Sequence, residues 1–281
     1  MENLGYYNGK YDLIENMMIP MTDRVCYFGD GVYDATYAHN HKIFDLKNHL
    51  DRFFNSAGLM RINIGMSKEE VGAILEEMVQ KVDAQTQFVY WQITRGSEIR
   101  NHAWADGIKG NLWVMIKPAS ITDLSRKIKV ISKEDTRFLH CNVKTLNLLP
   151  SVLAAKEAEE AGCAECIFHR GEIVTECAHS NVSILKNGVL KTHPTDHLIL
   201  PGIARIHLIA MCKELGVPVD ECDYTMQELM DADEVIVHSS GTFAVGVESV
   251  DGIPVGGRAP ELLKKIQDAL TAEFLAATKA D

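Results

Sequence analysis

The stretch of sequence that decides the fold is Asn142-Val143-Lys144-Thr145-Leu146-Asn147-Leu148-Leu149. It places one lysine among apolar residues, between a segment with a strand pattern and a segment with a helix pattern. Further along the chain, Thr175-Glu176-Cys177-Ala178-His179-Ser180-Asn181 places one glutamate at the end of a predicted strand. Most lysines and glutamates are solvated surface residues, so the flanking residues are what single out this pair.

Lys144 and Glu176 together suit an aldehyde cofactor. The ε-amine of a lysine can form a Schiff base, and a carboxylate can face the protonated ring nitrogen of pyridoxal 5′-phosphate (PLP) and keep that ring an electron sink. The sequence therefore predicts PLP as cofactor, with Lys144 as the catalytic residue and Glu176 as a ligand of the cofactor ring.

Composition limits the class of protein. The chain has 281 residues, 46% of them hydrophobic, and a formal net charge of −11, which indicates a globular protein with a sizeable core and argues against nucleic acid as a partner. It shows no signal-peptide pattern and no long apolar run, so we expect a cytoplasmic protein without a membrane partner. Seven scattered cysteines favour reduced thiols, and no convincing metal site is expected.

Turn signals and periodicity predict an α+β chain of two domains. The polar stretch 118–124 is the best candidate linker, which gives a first domain over 1–117 and a second over 125–281. Asn8-Gly9 and Asn187-Gly188 are typical of hairpin turns, 42–46 is predicted as a strand, and 68–82 as a helix that faces the core.

Three segments could bind a phosphate. Pro201-Gly202-Ile203-Ala204-Arg205 is a glycine turn that opens onto a helix pattern, where free backbone amides favour an anion. Ser239-Ser240-Gly241-Thr242 follows a predicted strand and offers hydroxyl groups. Arg52 could add a guanidinium, whose fork of donors matches phosphate oxygens.

Five ordered motifs carry a resemblance to a known family. Besides the lysine and glutamate stretches, they are Asp23-Arg24 with Phe28-Gly29-Asp30-Gly31-Val32-Tyr33, His49-Leu50-Asp51-Arg52, and Leu200-Pro201-Gly202-Ile203-Ala204-Arg205. The chain resembles the fold-type IV PLP enzymes, which include D-amino acid and branched-chain aminotransferases, over most of its length.

The resemblance implies a fold and a set of cofactor ligands. The fold would be a smaller N-terminal α/β domain and a larger C-terminal domain with a mixed, β-barrel-like sheet, with the PLP site between them. The phosphate would be held by Arg52, by the backbone amides of Ile203 and Ala204, and by Ser240. Ala204 departs from the threonine that relatives often carry there. Residues implied or expected near the cofactor are Arg137, Ser180, Leu200 and Ser239.

The substrate side of the resemblance lies in one loop. Arg100 and His102 look like the Arg-x-His carboxylate trap of bacterial D-amino acid transaminases, which works with a tyrosine that matches Tyr33. In that family the trap reaches into the neighbouring subunit, so the resemblance implies a homodimer with active sites at the interface. Physically, an arginine fork, an imidazole and a phenol would fix an α-carboxylate in one orientation.

The implied activity is a ping-pong transamination. It would move the amino group between D-amino acids, such as D-alanine and D-glutamate, and 2-oxo acids, such as 2-oxoglutarate and pyruvate. Two alternatives stay open at this point. They are an aminotransferase for L-branched-chain amino acids, and aminodeoxychorismate lyase, which eliminates pyruvate.

Overall fold

The computed structural model describes residues 1–280, which form two compact units. Unit 1 comprises Met1–Ile121, Val143–Asn147 and the C-terminal segment that begins at Phe274, and unit 2 comprises Thr122–Asn142 and Leu148–Glu273. Each unit contains both helices and a sheet, so the predicted α+β class is confirmed. The predicted domain limits, 1–117 and 125–281 with a linker over 118–124, stay a prediction, and Asp281 lies outside the described residues.

Unit 1 contains a six-stranded antiparallel sheet. Its strands are β1 (Leu4–Tyr7), β2 (Lys10–Asp12), β3 (Gly31–His39), β4 (Lys42–Ile43), β5 (Thr86–Thr94) and β6 (Asn111–Pro118). They lie in the order β2-β1-β6-β5-β3-β4. The turn between β1 and β2 is the predicted Asn8-Gly9, with φ of 45° and 89°, since these two residue types tolerate the positive φ that a tight hairpin requires.

The helices of unit 1 pack on this sheet. They are α1 (Val25–Phe28), α2 (Leu46–Leu59) and α3 (Lys68–Val79), and a short 3₁₀ helix covers Ile14–Asn16. α2 buries Leu50, Phe53 and Ala57, which are spaced three and four residues apart and so share one face. α3 begins with a capping box, in which Ser67 and Glu70 each accept the other's backbone N–H.

The predicted strand over 42–46 is wrong beyond its first two residues. β4 ends at Ile43, and α2 already begins at Leu46. The reason is local: Asp45, the residue before α2, has a φ of 45° and a left-handed backbone, which ends the extended conformation. Alternation of apolar and polar residues over five positions could not reveal that backbone change.

Unit 2 contains a nine-stranded mixed sheet. Its strands are β7 (Ile128–Glu134), β8 (Glu165–Arg170), β9 (Ile173–Cys177), β10 (Asn181–Lys186), β11 (Val189–Thr192), β12 (Val219–Glu221), β13 (Glu234–His238), β14 (Val245–Val250) and β15 (Ile253–Pro254). The order is β12-β11-β10-β13-β14-β7-β8-β9, and β15 pairs with β14. β7 is parallel to β8 and to β14, and β11 is parallel to β12. The mixed sheet predicted for the second half of the chain is confirmed.

Four helices complete the second half of the chain. They are α4 (Leu149–Glu160), α5 (Ile203–Glu214), α6 (Met226–Met230) and α7 (Pro260–Ala277). The predicted turn Asn187-Gly188 joins β10 to β11, with φ of 52° and 76°. Within residues 1–280, no helix has both the length and the apolar character that crossing a membrane would need.

Candidate active site

Lys144 lies on a short segment that pairs with the start of β3 in unit 1. The N–H of Tyr33 donates to the Lys144 carbonyl at 2.9 Å, and the N–H of Leu146 donates to the Gly31 carbonyl at 3.0 Å. The N–H of Lys144 donates to Ser56 Oγ at 3.2 Å. Backbone bonds on both sides therefore fix the point from which the lysine side chain extends.

The amine of Lys144 lies over an aromatic ring. Its Nζ is 4.2 Å from the centre of the Tyr33 ring, and Tyr33 stacks in turn on Tyr90 with the ring centres 5.4 Å apart. Burial raises the pKa of the Tyr90 phenol, whose hydroxyl donates to Gln92 at 2.8 Å. Two residues that the sequence assigned to the site, Lys144 and Tyr33, are thus brought together within unit 1.

Arg52 is buried on α2 and paired with a buried aspartate of β3. Its Nε and one terminal nitrogen donate to the two carboxylate oxygens of Asp34 at 2.9 Å and 2.7 Å. His49, one turn earlier, meets the same carboxylate at 2.8 Å. Burial alone would raise the pKa of Asp34, but the Arg52 charge and the hydrogen bonds lower it below its usual range. Asp34 is therefore an anion that orients the guanidinium.

Glu176 lies near the end of β9 in unit 2, where three groups donate to its carboxylate. Arg137 donates to Oε1 at 2.5 Å, and the Asn181 amide donates to Oε2 at 2.8 Å. The backbone N–H of Leu200 also donates to Oε2, at 2.9 Å. These bonds fix the orientation of a carboxylate that is only 5% exposed.

The N-terminus of α5 is suited to an anion. Gly202 precedes the helix and no side chain among the described residues caps it, so the first-turn amides, among them those of Ile203 and Ala204, point outward without a capping oxygen. A β-carbon on Gly202 would lie 2.0 Å from Asn181 Oδ1, so only glycine fits beside that amide. Asn181 also donates to the Leu200 carbonyl at 3.0 Å, which joins this turn to Glu176.

The predicted serine ligands are placed differently from one another. Ser239 follows β13, and its hydroxyl lies 2.9 Å from the Thr242 hydroxyl and accepts the Thr242 N–H at 3.3 Å, which organises the turn that carries Ser240. Ser180 is buried, and its hydroxyl donates to Glu165 at 2.9 Å. These contacts do not test which of the serines meets the cofactor.

Arg100 and His102 are both exposed on the loop after β5. The Arg100 guanidinium lies 5.0 Å and the His102 ring 5.2 Å from the centre of the Phe28 ring. The two predicted trap residues therefore share one aromatic support and lie on the same part of unit 1.

Sequence reasoning gave no role to several residues that hold these groups in place. In the structure such contacts come from Asp34, Asn181 and Arg24. Asn181 sits in the glutamate stretch and Arg24 in the first motif, so their position was the only available signal. Which atoms they contact depends on segments far away in sequence.

Comparisons with known proteins place the chain in a family. The family model described as amino-transferase class IV matches residues 31–250. The chain is 39% identical over 269 residues to a D-alanine aminotransferase from Listeria monocytogenes serotype 4b (strain F2365), an alignment that covers 94% of this chain and 93% of the relative.

Solved structures agree with the fold. A branched-chain amino acid aminotransferase from Escherichia coli has a TM-score of 0.90 at 25% identity, covering 100% of this chain and 97% of that one. A branched-chain amino acid aminotransferase from T.th., solved with pyridoxamine 5′-phosphate, has a TM-score of 0.87 at 23% identity, covering 97% and 96%. The predicted fold type is confirmed, and the chain belongs to the class IV aminotransferases.

Proposed function

We propose that this protein is a D-amino acid transaminase that moves an amino group between D-amino acids and 2-oxo acids. The observation that carries the proposal is the pair Arg100 and His102 on one support, in a chain 39% identical to a D-alanine aminotransferase over 94% of its length. D-alanine and D-glutamate are the proposed donors, and 2-oxoglutarate and pyruvate the proposed acceptors.

The cofactor is pyridoxal 5′-phosphate, which class IV aminotransferases use, and the residues of this chain fit it. A phosphate suits the uncapped N-terminus of α5 beside Gly202, and a protonated ring nitrogen suits the oriented carboxylate of Glu176. When bound, the cofactor supplies an electron sink for the charge left on Cα of the substrate.

Each proposed ligand has a task that follows from its contacts. Arg52, the amides of Ile203 and Ala204, and the hydroxyl of Ser240 hold the phosphate. Glu176 holds the ring nitrogen. Three further residues, Ser180, Leu200 and Ser239, line the cofactor.

Lys144 is the proposed catalytic residue. Its amine bonds the cofactor aldehyde at rest and, once the substrate amine replaces it, Nζ takes the proton from the substrate Cα. The backbone pairing of this segment with β3 and the ring of Tyr33 under Nζ limit where that amine can move. A fixed starting position keeps the amine close to the proton it takes.

Arg100, His102 and Tyr33 are the proposed clamp for the α-carboxylate. An arginine fork gives two parallel charge-assisted hydrogen bonds, and the imidazole and phenol add one donor each. The same clamp serves the 2-oxo acid, because both substrates carry that carboxylate. Such sharing leads to ping-pong order, in which the first product leaves before the second substrate binds.

We also propose a homodimer in which the clamp of one subunit serves the site of the other, as the family resemblance implies. A cytoplasmic location is proposed as well. It is supported by the seven cysteines, which are all unpaired in the described part of the chain, as a reducing compartment would keep them.

The test is the visible absorption spectrum of the purified, PLP-loaded protein. Addition of D-alanine should convert the aldehyde form of the cofactor to the amine form, and addition of 2-oxoglutarate should restore the aldehyde form. Conversion by L-leucine but not by D-alanine would overturn the D-specific assignment. Release of pyruvate from aminodeoxychorismate without any 2-oxo acid acceptor would instead indicate the lyase.

A further inference from the structure

The loop that carries Arg100 and His102 is held by one buried arginine from another segment. Arg24 precedes α1 and is 2% exposed. One of its terminal nitrogens donates to the Asn101 carbonyl at 2.6 Å and also to the Glu98 carboxylate, and the other donates to the His102 carbonyl at 3.1 Å. The guanidinium therefore binds the backbone next to Arg100 and at His102 itself.

Arg24 is in turn held from behind. Its Nε donates to Asp30 Oδ2 at 2.8 Å, and its guanidinium lies 4.9 Å from the centre of the Phe28 ring. The same ring supports Arg100 and His102. One buried cation and one aromatic ring thus hold the trap residues, the first through the loop backbone and the second through their side chains.

A second arginine fixes the far end of the loop. Arg95 donates through Nε to both oxygens of Asp30 at 3.0 Å and 2.9 Å, and its guanidinium stacks on Trp104 at 3.8 Å from the ring centre. Glu98 accepts the Ala105 N–H at 3.1 Å. Asp30 is therefore shared between two arginines that hold opposite ends of the loop 97–105.

We propose that Arg24 is a positioning residue for the carboxylate clamp: it fixes the backbone of the loop so that Arg100 and His102 present their donors in one arrangement. The proposal rests on the proposed function in assigning the clamp to Arg100 and His102. Every contact that carries it lies within unit 1. Arg24 itself binds neither substrate nor cofactor in this proposal.

Arginine is required because the task needs a planar fork. Four acceptors lie around one guanidinium, namely two carboxylates and two carbonyls, and a lysine ammonium has three donors on a single nitrogen. Arg24→Lys keeps the charge but cannot reach all four acceptors, so the loop loses part of its support. Arg24→Met keeps most of the length of the side chain and removes every donor.

The first measurement addresses the loop alone. Trypsin cleaves after exposed arginines, and the bond after Arg100 lies in the held loop. Arg24→Met and Arg24→Lys should be cut there at least several-fold faster than the unsubstituted PLP-loaded protein, with mass spectrometry to identify the site. Equal cleavage rates would overturn the proposal whether or not D-alanine is a substrate, so its failure is separable from that of the proposed function.

The second measurement is a double-mutant cycle. Arg24→Met should raise the apparent KM for D-alanine and for 2-oxoglutarate by about tenfold or more, because small displacements of binding groups weaken binding strongly. In the Arg100→Ala background the same change should add less than about threefold. Effects that simply multiply would show that Arg24 does not act through the clamp, and would overturn the proposal.

A matched arginine controls for general damage. Arg258 of unit 2 also donates to one carboxylate and two carbonyls, those of Asp233, Asp231 and Ala232. Arg258→Met should leave both KM values and the cleavage after Arg100 unchanged. Should Arg24→Met fail to fold, the cycle is run with Arg24→Lys, for which a rise in KM with unchanged PLP content is expected and an unchanged KM would refute the role.

Discussion

Gly202 and Asn181 should behave as a coupled pair. Gly202 has φ −66° and ψ 135°, which an alanine adopts without strain. The obstacle is the neighbour, because the added β-carbon would lie 2.0 Å from Asn181 Oδ1. In Gly202→Ala the Asn181 amide must move, and it then loses its bonds to Glu176 and to the Leu200 carbonyl.

The size of the effect follows from those two bonds. A hydrogen bond to a charged group contributes about 1.5–3 kcal/mol and a neutral one about 1 kcal/mol. Gly202→Ala should therefore lower the free energy of unfolding of the cofactor-free protein by about 2.5–4 kcal/mol. Asn181→Ala removes the same two bonds and should lower it by a similar amount.

The double variant separates this explanation from unrelated damage. Once Asn181→Ala has removed the amide, the space beside Gly202 is open, so adding Gly202→Ala should cost less than about 1 kcal/mol. Urea denaturation of the three variants and the unsubstituted protein, followed by circular dichroism, measures all four free energies. Additive losses of about 5–8 kcal/mol in the double variant would refute the proposed clash. The PLP dissociation constant, measured in parallel, should rise in both single variants.

Three further outcomes are expected. Lys144→Ala should lower D-alanine transamination at least about 10³-fold, and a rate above a tenth of normal would contradict its catalytic role. Because the pKa of Asp34 is depressed in the folded state, its ionised form stabilises the protein fully above its unfolded pKa of about 3.9 and progressively less as pH falls below that value. Asp34→Asn should therefore flatten the acid limb of a stability profile, which an unchanged limb would disprove. Burial raises the pKa of the Cys141 thiol to about 11 while Cys26 is exposed, so a thiol reagent at pH 8 should label Cys26 first, and equal labelling rates in the folded protein would contradict this.

The sequence predicted those parts of the structure that local rules determine. The turns Asn8-Gly9 and Asn187-Gly188 follow from residues that tolerate positive φ. The start of α5 at Ile203 follows from the glycine turn before an apolar helical pattern. Lys144 and Glu176 were found because each stands alone among apolar neighbours, which is a property of the sequence itself.

The remaining parts depend on contacts between distant segments. Arg24 meets acceptors more than seventy positions away in the chain, and nothing in its neighbours signals that distance. Arg137 came with the family resemblance, but its bond to Glu176 requires β9 and the end of β7 to approach each other. Periodicity identifies elements and cannot identify which side chains will meet across them.

The origin of Val143–Asn147 has a consequence for how the protein is made. This five-residue segment belongs to unit 1 although 21 residues of unit 2, Thr122–Asn142, precede it, and unit 1 also includes the chain from Phe274 onward. A nascent chain stopped at Ile121 lacks Val143, which is part of the unit 1 core, and lacks the partner that Gly31 and Tyr33 bind. Unit 1 therefore cannot be completed during synthesis of its own N-terminal portion, and its final packing must await release of the segment after Phe274 from the ribosome.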